Sequence, residues 1–164
     1  ARGRLSSSLD GGGGDLTLVG DDLYVPETIQ GSGALSIRTR SANTVIELGG
    51  TNDMGLASTL NLLDGELAQL VAANFSSVTI GDDNTGAITL KSDLSVDSAF
   101  TLNSRDQIDT TAGRLTATGR SPLTLTADGD ITTGKIRTEG GNVAITSTHC
   151  NISAASFAAR VFSS

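Results

Sequence analysis

Short runs of alternating hydrophobic and polar residues recur along the chain, with turn-forming residues between them. In Leu123-Thr-Leu-Thr126 and Ala34-Leu-Ser-Ile37 every second residue is aliphatic. A period of two places the aliphatic side chains on one face of a β-strand and Thr or Ser on the other. The pattern predicts strands at 16–19, 23–25, 34–39, 44–48, 77–80, 87–90, 94–96, 100–103, 114–118, 123–127, 135–138 and 143–147.

A longer repeat underlies these strands. Runs with an apolar-x-apolar start begin at Phe100, Leu123 and Val143, which are 23 and 20 residues apart, and an Ile follows each start at 108, 131 and 152. A second short strand that ends near Thr and Gly lies between the runs, at 114–119 and at 135–140. Several short strands within a period near 20 residues are typical of a parallel β-solenoid. We therefore expect an all-β protein of about seven coils stacked at roughly 4.8 Å.

Composition fits a narrow coil. The chain has 164 residues, with 20 Gly, 19 Ser and 21 Thr but only 4 Phe, 1 Tyr and no Trp. Leu, Ile, Val and Ala can fill a thin interior, Thr tolerates the outward face of a strand, and Gly takes corners that need positive φ. Aromatic residues at 3% are too few for the usual lining of an enzyme pocket.

One segment breaks the alternation. Between Leu60 and Ala73, apolar residues at 63, 67, 70 and 71 follow helical spacing. Asp64 suits the N-cap position, and Glu66 falls in the first turn, where the helix dipole favours a carboxylate. The pattern predicts one short helix near 64–73, inserted between two coils and packed against the flank of the solenoid.

The same region carries a resemblance to a known family. Leu62-Leu-Asp-Gly-Glu-Leu-Ala-Gln-Leu70, followed by Val78-Thr-Ile-Gly-Asp82 and Gly86-Ala-Ile-Thr-Leu90, resembles repeats of the large filamentous-haemagglutinin-like exoproteins of proteobacteria and cyanobacteria. The likeness extends over about 29–153. It implies a right-handed parallel β-helix on an extracellular or cell-surface adhesin. Its implied partners are a cell-surface glycan and outer-membrane secretion machinery.

Charge limits the other partners. Eleven Lys and Arg against 18 Asp and Glu give a net charge of −7. An acidic chain without a basic cluster is a poor ligand for nucleic acid or for anionic membranes. No apolar run reaches the length of a transmembrane helix, so we expect no membrane insertion. The first residues, Ala1-Arg-Gly-Arg4, lack a start Met and an apolar signal region, which indicates a processed chain or a piece of a larger one.

Acidic pairs are the candidates for metal binding. Asp82, Asp83, Asp128 and Asp130, with Asp21-Asp22 earlier in the chain, offer oxygen ligands of the kind that Ca²⁺ prefers. Asp and Asn at turns explain the same residues without a metal. We expect no bound metal and no cofactor.

His149 and Cys150 are the single histidine and the single cysteine, and they are adjacent. Adjacent strand residues point to opposite faces, so the two side chains would not meet as a catalytic pair. If Ile152 faces inward, so does Cys150, which is then an inert core residue, while His149 faces outward.

Two further functions have candidate residues. Asp106 with Asp109, or Asp128 with Asp130, would be the carboxylate pair of a polysaccharide-active enzyme, but groove-lining aromatics are lacking. The pairs Thr116/Thr118, Thr124/Thr126 and Thr146/Thr148 would form a flat hydroxyl array, as in ice-binding proteins. Outward strand Thr is the ordinary interpretation, and we expect no enzymatic activity.

Self-association is the leading functional hypothesis. A β-helix exposes strand edges at both ends unless they are capped, and uncapped ends stack. We divide the chain into a Gly-rich N-terminal segment at 1–15, a solenoid at 16–153 and an apolar C-terminal segment at 154–164. The predicted contact residues of a head-to-tail or strand-exchanged filament are Leu5, Leu9, Phe157, Val161 and Phe162. The alternative is a passenger or stalk fragment of a larger adhesin.

Overall fold

The chain folds as a right-handed parallel β-helix, which confirms the predicted fold class. The structure is a computed structural model that describes residues 3–4, 8–10, 12–25, 28–51 and 58–159, with the backbone alone at 3–4, 8–10, 28 and 157–159. Strands lie on three faces, and every strand pair in the described residues is parallel. Each coil visits the three faces in turn.

The first face holds a continuous six-stranded sheet. Its strands, in stacking order, are β3 (Leu16–Val19), β6 (Ala34–Arg38), β9 (Ser77–Ile80), β12 (Ala99–Ser104), β15 (Leu123–Ala127) and β17 (Val143–Ser147). We number the coils first to sixth from these strands. The described residues therefore form six coils and a partial one before them, against the seven predicted.

The other two faces share an eight-stranded sheet. The second face stacks β8 (Thr59–Leu62), β7 (Val45–Leu48), β10 (Ile88–Leu90), β13 (Ile108–Asp109) and the first halves of β16 (Ile131–Thr138) and β18 (Ile152–Ala159). The third face stacks β11 (Leu94–Val96), β14 (Arg114–Ala117) and the second halves of β16 and β18. In the third and fourth coils, a corner separates the strand of the second face from the strand of the third face. In the fifth and sixth coils, β16 and β18 each continue through this corner as one strand.

Two small sheets lie at the N-terminal end. β1 (Gly3–Arg4) pairs with β4 (Leu23–Tyr24), and β2 (Ser8–Asp10) pairs with β5 (Thr28–Gln30). Because β4 and β5 follow β3 in the first coil, β1 and β2 lie one coil beyond it. The partial coil therefore lacks a strand in the first face among the described residues.

The core consists of aliphatic columns that run along the solenoid axis. In the first face one column joins in-register residues of all six strands: Leu16, Leu35, Val78, Phe100, Leu123 and Val143. In the second face another joins Leu60, Ile46, Ile88, Ile108, Ile131 and Ile152. Parallel in-register pairing places equivalent residues of successive coils directly above one another. The 20-residue repeat of the sequence therefore stacks similar aliphatic side chains in each column.

The predicted helix exists as α1 (Asp64–Ala72), with Leu67 and Leu70 buried. β8 lies on the side of β7 away from β10, so the chain steps back one coil before the helix begins. Helix α1 then contacts β5 and β11, in the place where the third face of the second coil would have a strand.

The prediction of Asp64 as N-cap is wrong. The N-cap is Leu63, which has extended dihedrals and supplies no side-chain cap. Glu66 satisfies the backbone instead, because its Oε2 accepts the N–H of Leu63 at 2.9 Å. Asp64 is the first helical residue, and its carboxylate accepts the N–H of Gly50 at 2.9 Å and the hydroxyl of Ser92. It joins the helix to the second and third coils.

Candidate functional site: the uncovered terminal coil

Among the described residues, the sixth coil is covered on one side only. In the first face, Leu123 and Leu125 of the fifth coil are fully buried, whereas Val143 and Ile145 directly above them are half-buried. In the second face Ile131 has 0% of its surface exposed, and its in-register neighbour Ile152 has 48%. Within the described residues, the interior columns therefore end in apolar side chains that are partly exposed.

Backbone groups are uncovered at the same place. Among the described residues, β17 pairs with β15 alone, and at the other end of this sheet β3 pairs with β6 alone. An edge strand carries a row of unpaired N–H and C=O groups that can accept another strand. Apolar columns and free strand edges together form the feature that we call the terminal coil, residues 143–156.

The predicted contact residues fall around this coil only in part. Leu5, Val161 and Phe162 lie outside the described residues. Leu9 is paired with Ile29, and Phe157 with Ile136, but the side chains of Leu9 and Phe157 are not described. Sequence analysis missed Val143, Ile145 and Ile152, because the same repeat positions are buried core positions in the second to fifth coils.

Corner aspartates connect successive coils. Asp15, Asp93 and Asp130 accept backbone N–H groups of the next coil at 2.8–2.9 Å, from Ala34, Arg114 and Asn151 respectively. A carboxylate that accepts a backbone N–H is a strong, charge-assisted partner. These residues stabilise the stacking of coils.

The Ca²⁺ candidates also accept hydrogen bonds, either within one corner or from side chains of the next coil. Asp82 accepts the N–H of Asn84 and the hydroxyl of Thr85, and Asp83 accepts the side-chain amide of Asn103. Asp128 accepts the hydroxyl of Thr148 at 2.7 Å. Within the described residues no group of three or more His, Cys, Asp or Glu side chains converges as a metal site.

Asp21 has the densest set of such bonds. Burial by itself would raise the pKa of this carboxyl, but four donors of the second coil outweigh that effect and lower the pKa below its ordinary value. The donors are the hydroxyl and N–H of Ser41, the N–H of Arg40 and the hydroxyl of Thr44. The ionised form of Asp21 therefore joins the first and second coils.

The prediction that Cys150 is a core residue is wrong. Its thiol is free and exposed. Residues 148–151 form a corner between β17 and β18, so the inward–outward alternation of a strand does not apply to them. His149 is also exposed, and its Nδ1 lies 2.9 Å from the Thr148 hydroxyl rather than beside the cysteine as a catalytic partner.

The carboxylate pairs of the enzyme hypothesis lie at corners or at a strand end. Asp109 is the last residue of β13 and accepts the N–H and the hydroxyl of Thr111, and Asp106 is exposed on the corner before β13. The Thr pairs do not form one array: Thr124 and Thr126 project from the first face, whereas Thr116 projects from the third.

No protein-family model matches the chain, no curated protein resembles it significantly in sequence, and no solved structure matches its fold significantly. The resemblance to filamentous-haemagglutinin-like repeats therefore stays a prediction. In the part of the chain that the structure describes, no helix is both long and apolar enough to cross a membrane.

Proposed function

We propose that this protein is a non-enzymatic structural subunit that stacks end to end, through its terminal coil, into an extracellular filament. The observation that carries the proposal is the exposure of Ile152 at 48% above a fully buried Ile131. A second β-solenoid placed on this coil would continue the apolar columns and pair the free strand edges. Burial of apolar surface and backbone pairing would then act together at the joint.

The two ends of the solenoid are compatible in residue type. The exposed columns end in Val143 and Ile145, and the first-coil residues of the same columns are Leu16 and Leu18. Aliphatic residues would thus meet aliphatic residues in a head-to-tail contact. A contact of this kind does not close on itself, so it generates a filament rather than a dimer.

Strand count at the joint favours exchange of a terminal strand. β17 and β18 end all three faces in the sixth coil, whereas β1 and β2 extend two faces one coil beyond β3. If β1 and β2 of one copy lie on β18 of the next, the described residues supply no strand for the first face at the joint. A strand exchanged between copies would occupy that position.

The second candidate is a stalk segment of a larger adhesin. The regular columns favour it, because the uncovered coil would accept the next coil of one continuous chain equally well. The extracellular location in both proposals is supported by the family resemblance alone. A cell-surface glycan and the secretion machinery are the partners that this resemblance implies.

Electron microscopy of the purified chain at rising concentration tests the filament. We expect filaments of constant width, with a spacing of about 4.8 Å along the filament axis in diffraction.

Ile152→Lys should abolish the filaments, because it places a charge in the joint. Ser153→Lys is the matched control: it adds the same charge next to Ile152 on an outward position, and filaments should persist. A monodisperse monomer at high concentration would overturn the filament and favour the stalk.

A further inference from the structure

Four charged residues follow one another along the edge of the third face that adjoins the second face. In the order of the second to fifth coils they are Asp64, Asp93, Arg114 and Lys135. Lys135 is paired in register with Arg114, whose N–H donates to the Asp93 carboxylate. Asp64 accepts the hydroxyl of Ser92, the residue before Asp93. All four charged residues are exposed, and we call them the charge stripe.

Like charges are neighbours within the charge stripe. In-register pairing places Arg114 and Lys135 on adjacent strands about 4.8 Å apart, and like charges on neighbouring strands destabilise a sheet. Neither cation has an ion pair with another described residue. The fold therefore leaves two adjacent positive charges available to carboxylates from outside.

The two carboxylates of the stripe have neutral partners. Asp64 accepts the N–H of Gly50 and the Ser92 hydroxyl through Oδ1, and Asp93 accepts the N–H of Arg114 through Oδ1. A backbone amide or a hydroxyl does not cancel the charge of a carboxylate. An ionised carboxylate has about four acceptor positions, and Oδ2 of both residues has no partner among the described residues.

Reversing the direction of the charge stripe exchanges its signs. From the second coil to the fifth the order is negative, negative, positive, positive. A second copy that lies alongside with its axis antiparallel therefore places Lys135 opposite Asp64 and Arg114 opposite Asp93. A parallel copy in the same register would place like charges together. The residues beside the cations are small and let two flanks approach closely: Ala112, Gly113, Gly134 and Ala155.

We propose that the charge stripe joins two copies of this chain side by side with antiparallel axes. The contact is isologous, because the same residues of both copies face each other, so it closes at two copies. One exposed ion pair contributes little, but here each pair occurs twice, and the complementary pattern selects the orientation and register. The contact uses no residue of the terminal coil, so it goes beyond end-to-end stacking and would join neighbouring filaments laterally.

Zero-length cross-linking tests the contact. A carbodiimide joins a lysine amine to a carboxylate only where the two touch. Lys135 and Asp64 of one copy are three coils apart, roughly 14 Å, so a link between them must connect two copies. We expect a dimer that contains this link, with a yield that falls as salt is raised, because exposed charges are screened. Absence of the link, or equal linking of Lys135 to carboxylates all over the surface, would overturn the proposal.

A charge reversal beside the linked residues tests the register. Arg114→Glu keeps Lys135 and Asp64 but sets a carboxylate opposite Asp93, so the yield should fall about fivefold or more. Arg105→Glu makes the same charge change at an exposed position outside the stripe and should keep the yield of the parent. Unfolding midpoints check that both variants fold. An unchanged yield with Arg114→Glu, or an equal fall in both variants, would overturn the contact.

Two double variants should restore the contact only when mixed. Asp64→Asn with Asp93→Asn keeps the accepting oxygens and removes the negative half, whereas Arg114→Glu with Lys135→Glu makes the whole stripe negative. Lys135 and Asp64 are then on different chains, and we expect their link in the mixture; a mixture without it would contradict the proposal. The link should also form in Ile152→Lys, which separates this contact from end-to-end stacking. Its loss in Ile152→Lys would overturn the side-by-side contact.

Discussion

The carboxylate of Glu66 accepts a hydrogen bond from the backbone N–H of Val25, 41 residues earlier in the chain, at 2.9 Å. The other oxygen of the same carboxylate accepts the N–H of Leu63. One side chain thus closes the N-terminus of α1 and attaches the helix to the first coil. Val25 is 3% exposed, so water does not easily replace the carboxylate at this N–H.

Glu66→Ala should lower the free energy of unfolding by about 1–3 kcal/mol, the cost of leaving a buried donor without an acceptor. Glu66→Gln keeps one carbonyl acceptor and should lose less. Gln69→Ala, an exposed position on the same helix, should stay within about 0.5 kcal/mol of the parent. Urea denaturation measures all three. If Glu66→Ala matches Gln69→Ala, the bond does not stabilise the helix.

Acid should weaken the junction of the first and second coils through Asp21. The pKa of Asp21 is lowered in the folded state, so its contribution is present above the unfolded pKa of about 4 and is lost as pH falls through the lower folded value. Asp21→Asn should therefore be less stable than the parent near pH 7, and the difference should shrink as the pH falls toward 3. Denaturation midpoints across this range test the trend. A difference that is independent of pH would contradict it.

Gly141 should not tolerate a larger residue, because the neighbouring coil leaves no room for a Cβ. A Cβ at this position would collide with the backbone carbonyl of Ser121 in the preceding corner, although φ of Gly141 is not in the left-handed region. Gly141→Ala should therefore destabilise the fold. Gly65 is the matched control: it lies in α1 with open space around it, so Gly65→Ala should stabilise by about 0.5–1 kcal/mol. Thermal unfolding of the two variants should shift in opposite directions.

Two residues of one column should respond differently to truncation. Ile131→Ala removes a fully buried side chain and should cost about 2–5 kcal/mol, whereas Ile152→Ala removes a half-exposed one and should cost about 1 kcal/mol or less. Urea denaturation at a concentration too low for assembly measures this. The order should reverse in assembly: Ile152→Ala should raise the concentration at which filaments appear. An unchanged assembly threshold would place the joint elsewhere.

Local patterns predicted all six strands of the first face, but not β8 or β13 of the second face. Those at 16–19, 77–80, 94–96, 123–127 and 143–147 agree with the structure to the residue. The pleat of a strand points neighbouring side chains to opposite faces, so a strand with one buried face shows hydrophobic alternation between neighbouring residues. The helix was predicted for the same reason, because its spacing is also local. At corners the local rule fails, which is why Cys150 was assigned to the core and is exposed.

The sequence by itself determined what each coil contains: which residues are strand, which are helix and which aliphatic positions recur. Only the tertiary structure decided which strands stack. It placed β8 on the side of β7 away from β10 and set α1 beside β11 in the place of a strand. Among the described residues it stacked no further coil on the terminal coil. Val143 and Leu123 occupy the same repeat position, but among the described residues another coil lies above Leu123 and none lies above Val143. That difference depends on pairing between distant segments, which no local pattern of hydrophobic and polar residues encodes.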